Sequence, residues 1–222
     1  MELLLVRHAL PDRVDNTPTG EVADPALSDL GLRQTAVLAD WLAGSWPGGP
    51  PAEAIDAVYA SPMVRALETA SPVAERLGCP KVVEGGLAEY DAEEVAYIPV
   101  EELRAARDPR WFELVSDEAI PDLADFQARV VVTVEALVAS HSGQRLVLVC
   151  HGGVIGAYLA YLLGIQRVLF FEAGYTSISR VLAASTGERS VASMNELAHL
   201  RAAGVPLYGE GSWGFSSGRS RK

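Results

Sequence analysis

Four side chains in this sequence suit one kind of chemistry. Arg7 and His8 end the apolar run "LLLVRHAL", Arg65 lies in "YASPMVRALETA", and His151 with Gly152 and Gly153 follows "VLVC". A neutral imidazole is available near pH 7, because its reference pKa is about 6.5, and it can attack phosphorus. Arginines bind equatorial phosphoryl oxygens in pairs and stabilise the charge of the transition state. Two histidines and two arginines are therefore what phosphoryl transfer through nitrogen requires, with no metal ion and no cofactor. Taken singly, each has a plainer role. His8 can simply close a strand, Arg65 can pair with Glu68 three residues on, and His151 can cap a strand whose glycines serve only the turn. The leaving alkoxide also needs a proton, hence a carboxylic acid. The segment "EGGLAEYDAEEV" offers Glu84, Glu89, Asp91, Glu93 and Glu94. Spacing alone does not choose among them, and a nearby phosphate would raise the pKa of the one that serves.

These residues meet only if the elements before them lie side by side. The segments from Glu2 to Val6 and "RLVLVC" are continuous apolar runs, which suits strands buried on both faces, and "IDAVYA" reads as a third strand. Helical spacing predicts "DLGLRQTAVLADWLAG", with Ser28 as N-cap, Leu30, Val37, Leu38, Trp41 and Leu42 inward, and Gly44 at its close. It predicts a second helix in "SPMVRALETASPVAERLG", with Ser61 as N-cap, Pro62 first and Gly78 as C-cap. Val64, Leu67, Ala70, Ala74 and Leu77 form its inward face. Lys81 to Glu84 reads as a strand. Short helical pieces broken at Pro109 follow between Val100 and Val115. A long helix from Asp122 to about Ser140 turns Phe126, Val130, Val134 and Leu137 inward. A helix "VIGAYLAYLLG" comes after His151, then a hairpin of "SISRVLAA" and "RSVASMN" with Gly187 in its turn. Strands alternating with helices imply a largely parallel sheet covered on both sides. Ligands bind outside the carboxyl ends of such strands, where Arg7, His8, Ser61, Arg65 and His151 would converge. Arg65 would sit in the first turn of a helix, where a cation is disfavoured by ~0.3–1 kcal/mol unless an anion offsets it.

The 222-residue chain carries a formal net charge of −11, which excludes the clustered basic footprint of a nucleic-acid binder and a general affinity for anionic membranes. Small molecules are the expected partners. No secretory signal is legible at the start. No apolar run reaches the roughly 18 to 20 residues of a membrane span. Cys79 and Cys150 fit no metal or redox spacing, and Cys150 reads as strand core. A cytoplasmic setting follows. His141 reads as surface and His199 as structural. The chain is expected to form one domain over 1–207, with a disordered Gly-, Ser- and Arg-rich tail over 208–222. Homo-oligomerisation is left open.

The motifs "LLLVRHAL", "YASPMVRALETA" and "VLVCHGGVIGAYL", in that order and joined by "LSDLGLRQ" and a late "NELAHL", resemble the histidine phosphatase superfamily from about residue 2 to 200. That superfamily includes the cofactor-dependent phosphoglycerate mutases. The resemblance implies a phosphoglycerate mutase-like three-layer α/β/α sandwich with a mostly parallel central sheet. It implies that His8 forms a phosphohistidine and that Arg7, Arg65 and His151 make the phosphate pocket; the strand-to-helix junction at Gly152 and Gly153 independently offers free backbone N–H groups that a phosphate can approach. It places the proton donor in the L-x-E element from Leu87 to Glu89, hence Glu89. Two departures stand out. Ala9 replaces the glycine usual after the nucleophile, and "LPDRVDNTPTG" replaces the polar residues that follow, so that Asn16 either supplies the family's substrate-binding amide from a longer loop or only makes a turn. "YDAEEVAYIP" also stands where the mutases carry a "G-x-W-E-G" element, which favours the phosphatase branch.

The reading that follows is a metal-independent phosphomonoesterase acting on a small phosphate ester. A mutase differs only in passing the phosphoryl group to a second hydroxyl, and a requirement for 2,3-bisphosphoglycerate would mark it. A binding module that has lost turnover is a reading of another class. A zinc site of His8, His151 and Glu89 has suitable ligand types, but arginines beside it would repel the ion and no closely spaced ligand pair exists.

Overall fold

The computed structural model describes residues 1–116, 120 and 122–209. In chain order the elements are β1 (Glu2–Arg7), β2 (Val14–Asp15), α1 (Asp29–Leu42), β3 (Ala57–Ala60), α2 (Val64–Leu77), β4 (Lys81–Val83), a 3-10 turn at Gly85–Leu87, β5 (Ala96–Tyr97), α3 (Val100–Ala106), α4 (Pro109–Ser116), α5 (Leu123–Ser140), β6 (Arg145–Cys150), α6 (Gly152–Leu163), β7 (Ile178–Ala183), β8 (Arg189–Glu196) and α7 (Ala198–Ala203). The main sheet runs β4-β3-β6-β1-β7-β8. Its first four strands are mutually parallel, and the β7–β8 hairpin adds to the β1 edge antiparallel.

The apolar runs at β1 and β6 are central because both faces of each are covered. Leu3 and Leu5 pack with Leu146 and Leu148 against Phe126, Val130 and Val134 of α5 and Tyr158 of α6. Leu4 and Val6 pack with Val147 and Val149 on the opposite face, against Leu38 and Leu42 of α1 and Ala66 and Val73 of α2. Alternation along a strand divides each run between two cores, which is why these strands read as unbroken hydrophobicity. The architecture is the expected α/β/α sandwich around a mostly parallel sheet.

The helix faces differ from expectation in α1 and α2. On α1 the buried stripe is Gly31, Gln34, Thr35, Leu38, Ala39 and Leu42, whereas Leu30, Val37 and Trp41 only flank it. The cause is polar. Gln34 Oε1 accepts from Leu10 N at 3.0 Å, and its Nε2 donates to the Pro206 and Leu207 carbonyls at 2.9 and 3.0 Å. Gly31 lies so close to the chain that a Cβ there would stand 2.1 Å from the Leu10 oxygen. On α2 the stripe is Arg65, Ala66, Thr69, Ala70, Val73 and Ala74, one residue round from the apolar pattern. Ser61 does not cap α2. Asp24 does so from the loop between β2 and α1, its two carboxylate oxygens each accepting from Val64 N at 3.0 Å. Ser28 caps α1 as expected, accepting from Gly31 N at 3.1 Å.

A small second sheet that the sequence did not disclose pairs Val14 and Asp15 with Tyr97 and Ala96. It ties the loop after β1 to the segment after the 3-10 turn. Among the described residues no helix is long and apolar enough to cross a membrane. Residues 210–222, and with them most of the expected tail, lie outside the described residues.

Candidate active site

Because β3, β6 and β1 are adjacent and parallel, their carboxyl ends deliver Ser61, His151, and Arg7 with His8 to one place. The His8 and His151 rings lie 5.0 Å apart. His8 is fixed by the backbone of the next residue, Nδ1 standing 2.7 Å from the Ala9 carbonyl. A carbonyl only accepts, so Nδ1 carries the proton and Nε2 presents a lone pair. Burial, then Arg65 and Arg7, hold the His8 pKa well below the ordinary histidine range, so the ring is neutral at pH 7.

Arg65 is 1% exposed and lines the site, although it belongs to the first turn of α2. It donates to Asp91 Oδ1 at 2.8 Å, and its Nη1 lies 3.7 Å from Asp24. Its pairing is thus with two loops rather than with Glu68, whose carboxylate accepts from Leu27 N at 2.7 Å. Arg7 donates to the Ala173 carbonyl at 2.6 Å and lies 3.9 Å over the Tyr175 ring. Burial acts to lower its pKa, but Tyr175, Tyr97, Glu101 and Glu172 outweigh this and hold the cation. His151 Nε2 meets Ser61 Oγ at 2.8 Å. Burial first, then Arg65, His8 and Arg7, keep His151 neutral as well. Arg7 Nε, Arg65 Nε and Nη1, and His151 Nδ1 are buried with no hydrogen-bond partner. Unpaired buried donors cost about 1–3 kcal/mol each, and their gathering at one point suits the binding of an anion.

Glu89 completes the group. Its Oε2 accepts from Gly153 N at 2.7 Å and its Oε1 from Tyr90 N at 3.1 Å. Burial, reinforced by Asp91, raises its pKa to about 7 against those hydrogen bonds and Arg65. The two glycines after His151 therefore differ in role. A Cβ on Gly153 would stand 2.4 Å from Glu89 Oε1, so this position is bare to admit the acid. A Cβ on Gly152 would meet only Arg7 Nε at 3.9 Å.

Arg7, His8, Arg65, Glu89, His151 and Gly152 all line one cavity of about 550 Å³. The structure does not bring Asn16 to it. That residue turns its own loop, its backbone carbonyl accepting from Thr19 and Gly20 and its side-chain amide donating to the Val22 carbonyl at 3.2 Å. Several residues at the site were not singled out from the sequence. Thr69 accepts from Ala9 N at 3.0 Å, and Tyr97 lies 4.8 Å from the Arg65 guanidinium. Tyr175 comes from an irregular segment and Tyr97 from the two-residue strand β5, both too short of pattern for periodicity to betray them. Ser61 was legible as polar at a strand end, but its helix-cap reading concealed its contact with His151. Among the described residues no group of three or more His, Cys, Asp or Glu side chains is arranged to hold a metal ion. Cys150 is buried strand core with its thiol pKa pushed up, mainly by burial. His141 meets Tyr59 OH at 3.0 Å. His199 is buried on α7 against Thr176 Oγ1 at 2.9 Å, and burial lowers its pKa to about 4.

The sequence profile of the Histidine phosphatase superfamily (branch 1) matches residues 3–196. Phosphoserine phosphatase 1 of Hydrogenobacter thermophilus is 28% identical over 191 residues, covering 81% of this chain and 84% of that protein. A solved structure of a mutant phosphoserine phosphatase from Entamoeba histolytica, in complex with phosphoserine, aligns with a TM-score of 0.66 at 21% identity, over 90% of this chain and 98% of that one. A mycobacterial glucosyl-3-phosphoglycerate phosphatase aligns with a TM-score of 0.65 at 23% identity, over 88% and 99%. At such identities the two solved structures speak for the fold.

Proposed function

Since the chain belongs to the histidine phosphatase superfamily, branch 1, we propose that it is a metal-independent phosphomonoesterase hydrolysing a small-molecule phosphate ester through a phosphohistidine on His8. The observation that carries this reading is the pinned His8 ring: Nδ1–H is committed to Ala9, and Nε2 is free beside two buried arginines with unpaired donors. The lone pair of Nε2 attacks phosphorus and the bond from phosphorus to the ester oxygen breaks. The carboxyl proton of Glu89 passes to that oxygen, which departs as an alcohol. Water then attacks the phosphorus with Glu89, now a carboxylate, accepting its proton. The N–P bond breaks, releasing phosphate and restoring the imidazole. Arg7 and Arg65 bind the phosphoryl oxygens, and the N-terminus of α6 at Gly152 adds its positive field. A Ser61 hydroxyl donating to His151 Nε2 puts that ring's proton on Nδ1, as a neutral donor to the same oxygens.

The names of the relatives support the class, since a phosphoserine phosphatase and a glucosyl-3-phosphoglycerate phosphatase both act on phosphate monoesters. The test is rapid quenching with labelled phosphomonoesters in the presence of a chelator. The wild type should yield acid-labile protein-bound phosphate and turnover, and His8→Ala should yield neither. Label that survives the substitution, or activity that disappears with chelation and returns with one divalent ion, would overturn the mechanism.

A further inference from the structure

Beyond the catalytic floor, the cavity changes character. Its walls are Leu103 from α3, Trp111 and Leu114 from α4, and Leu169, Phe170 and Phe171 from the segment after α6. The rings hold one another. Trp111 and Phe112 stand edge to face with centroids 4.9 Å apart, and Phe170 and Phe171 are tilted at 4.9 Å. Much of the wall's charge is already engaged. Arg110 is bound by Asp108 at 2.7 Å, Glu172 by Arg104 at 2.5 Å and Tyr208 at 2.7 Å, and Asp91 by Arg65 at 2.8 Å. Glu94, Glu113 and Arg167 are exposed, where water screens them. At about 550 Å³ the cavity also falls in the ~300–1,000 Å³ range that takes drug-sized ligands.

Resting on the phosphomonoesterase reading, we propose that the substrate is a phosphate ester whose alcohol carries a bulky apolar or aromatic group, which packs against Trp111, Leu169, Phe170 and Phe171 while Arg7 and Arg65 hold the phosphate. A small zwitterionic alcohol such as serine fits poorly. Its ammonium and carboxylate would lose water against rings and aliphatic side chains, with the nearer charged groups already paired. Polar discrimination needs buried partners matched to each substrate group. This wall instead offers shape and apolar surface.

Two measurements separate this proposal from the reading beneath it. Binding of phosphonates, which cannot be hydrolysed, is followed by calorimetry: benzylphosphonate, methylphosphonate and the phosphonate analogue of phosphoserine. Hydrolysis of benzyl phosphate, methyl phosphate and phosphoserine is followed by phosphate release. Benzylphosphonate should bind at least about tenfold more tightly than either of the others, and kcat/KM should follow the same order. In Trp111→Ala and, independently, Phe171→Ala, the ratio of benzyl to methyl affinity should fall towards one. Equal binding, tighter binding of the phosphoserine analogue, or a ratio unmoved by both substitutions would overturn the apolar specificity. Benzylphosphonate preference without turnover of any ester would leave the wall standing and sink the hydrolase reading instead.

Discussion

Glu89 keeps its proton near neutrality because it is buried beside Asp91, and this sets the sign of the pH dependence. With its pKa raised to about 7, the acid form that the proposed mechanism uses to protonate the leaving group predominates below that value and is lost as pH rises through it. His8, lowered far below the ordinary histidine range, is lost as a nucleophile only at much more acid pH. The kcat/KM profile for an alkyl phosphate should therefore be flat through mildly acid pH and fall above about 7; a fall below the ordinary histidine pKa of about 6.5 and none above would contradict the assignment. Glu89→Gln should reduce kcat/KM by about 10²–10⁴ for alkyl esters. It should do much less harm with a nitrophenyl ester, whose leaving group departs without a proton, so equal losses on both would remove Glu89 from the acid role. Gly153→Ala tests the same contact from the other side. Its Cβ would stand 2.4 Å from Glu89 Oε1, so the same selective loss on alkyl esters is expected while the far-ultraviolet circular dichroism stays unchanged.

Elements defined by periodicity alone were legible where both faces of a strand, or one clean stripe of a helix, were apolar. The two central strands carry this pattern, and the buried positions Phe126, Val130, Val134 and Leu137 of α5 follow it as well. The faces of α1 and α2 were misjudged because polar side chains occupy their buried stripes. Hydrophobic spacing cannot anticipate that Gln34 is buried to satisfy Leu10 N and the Pro206 and Leu207 carbonyls after α7. Nor does it show that Asp24, 40 residues earlier, caps α2 and frees Ser61 to meet His151. The motif histidines and arginines were legible because strand ends in a parallel sheet point one way, whereas Tyr97 and Tyr175 depend on loop paths. The structural weight of Gln34 is testable on its own. Gln34→Leu leaves the Leu10 N–H and the two carbonyls without that partner, and at about 1–3 kcal/mol per buried unsatisfied group it should cost at least about 2 kcal/mol in urea unfolding. A loss below about 0.5 kcal/mol, the usual range of surface changes, would mean that the stripe is held by its apolar members alone.

The molecule as a whole separates its two electrostatic tasks along the strands. Arg7 and Arg65, cations with unpaired donors, gather with the neutral His151 beyond the carboxyl ends of β1, β3 and β6, while Glu2 and Arg145 open β1 and β6 and enter a closed network at the other end. There Arg180 reaches Glu2 at 3.1 Å, Glu53 at 2.6 Å and Glu196 at 3.1 Å, and Arg145 reaches Glu2 at 2.6 Å and Glu53 at 3.3 Å. In a chain of net charge −11, these two arginines hold together carboxylates that would otherwise repel. Arg180 pairs across from Leu4 in β1, three residues before Arg7, or about 10 Å at the ~3.3 Å rise per residue of a strand. Arg180→Met keeps most of the apolar stem and removes the charge, leaving three carboxylates with one arginine among them. The side chain is 17% exposed, so the cost lies below that of breaking a fully buried pair, at about 1–3 kcal/mol. It should appear as a lower urea midpoint with an unchanged slope, and added salt should narrow the difference by screening the repulsion left behind. Under conditions where the variant is still fully folded, kcat/KM for benzyl phosphate should match the wild type. A parallel loss of activity there would show that the two ends of the sheet are coupled and that the arginines of the site depend on charges placed far from them.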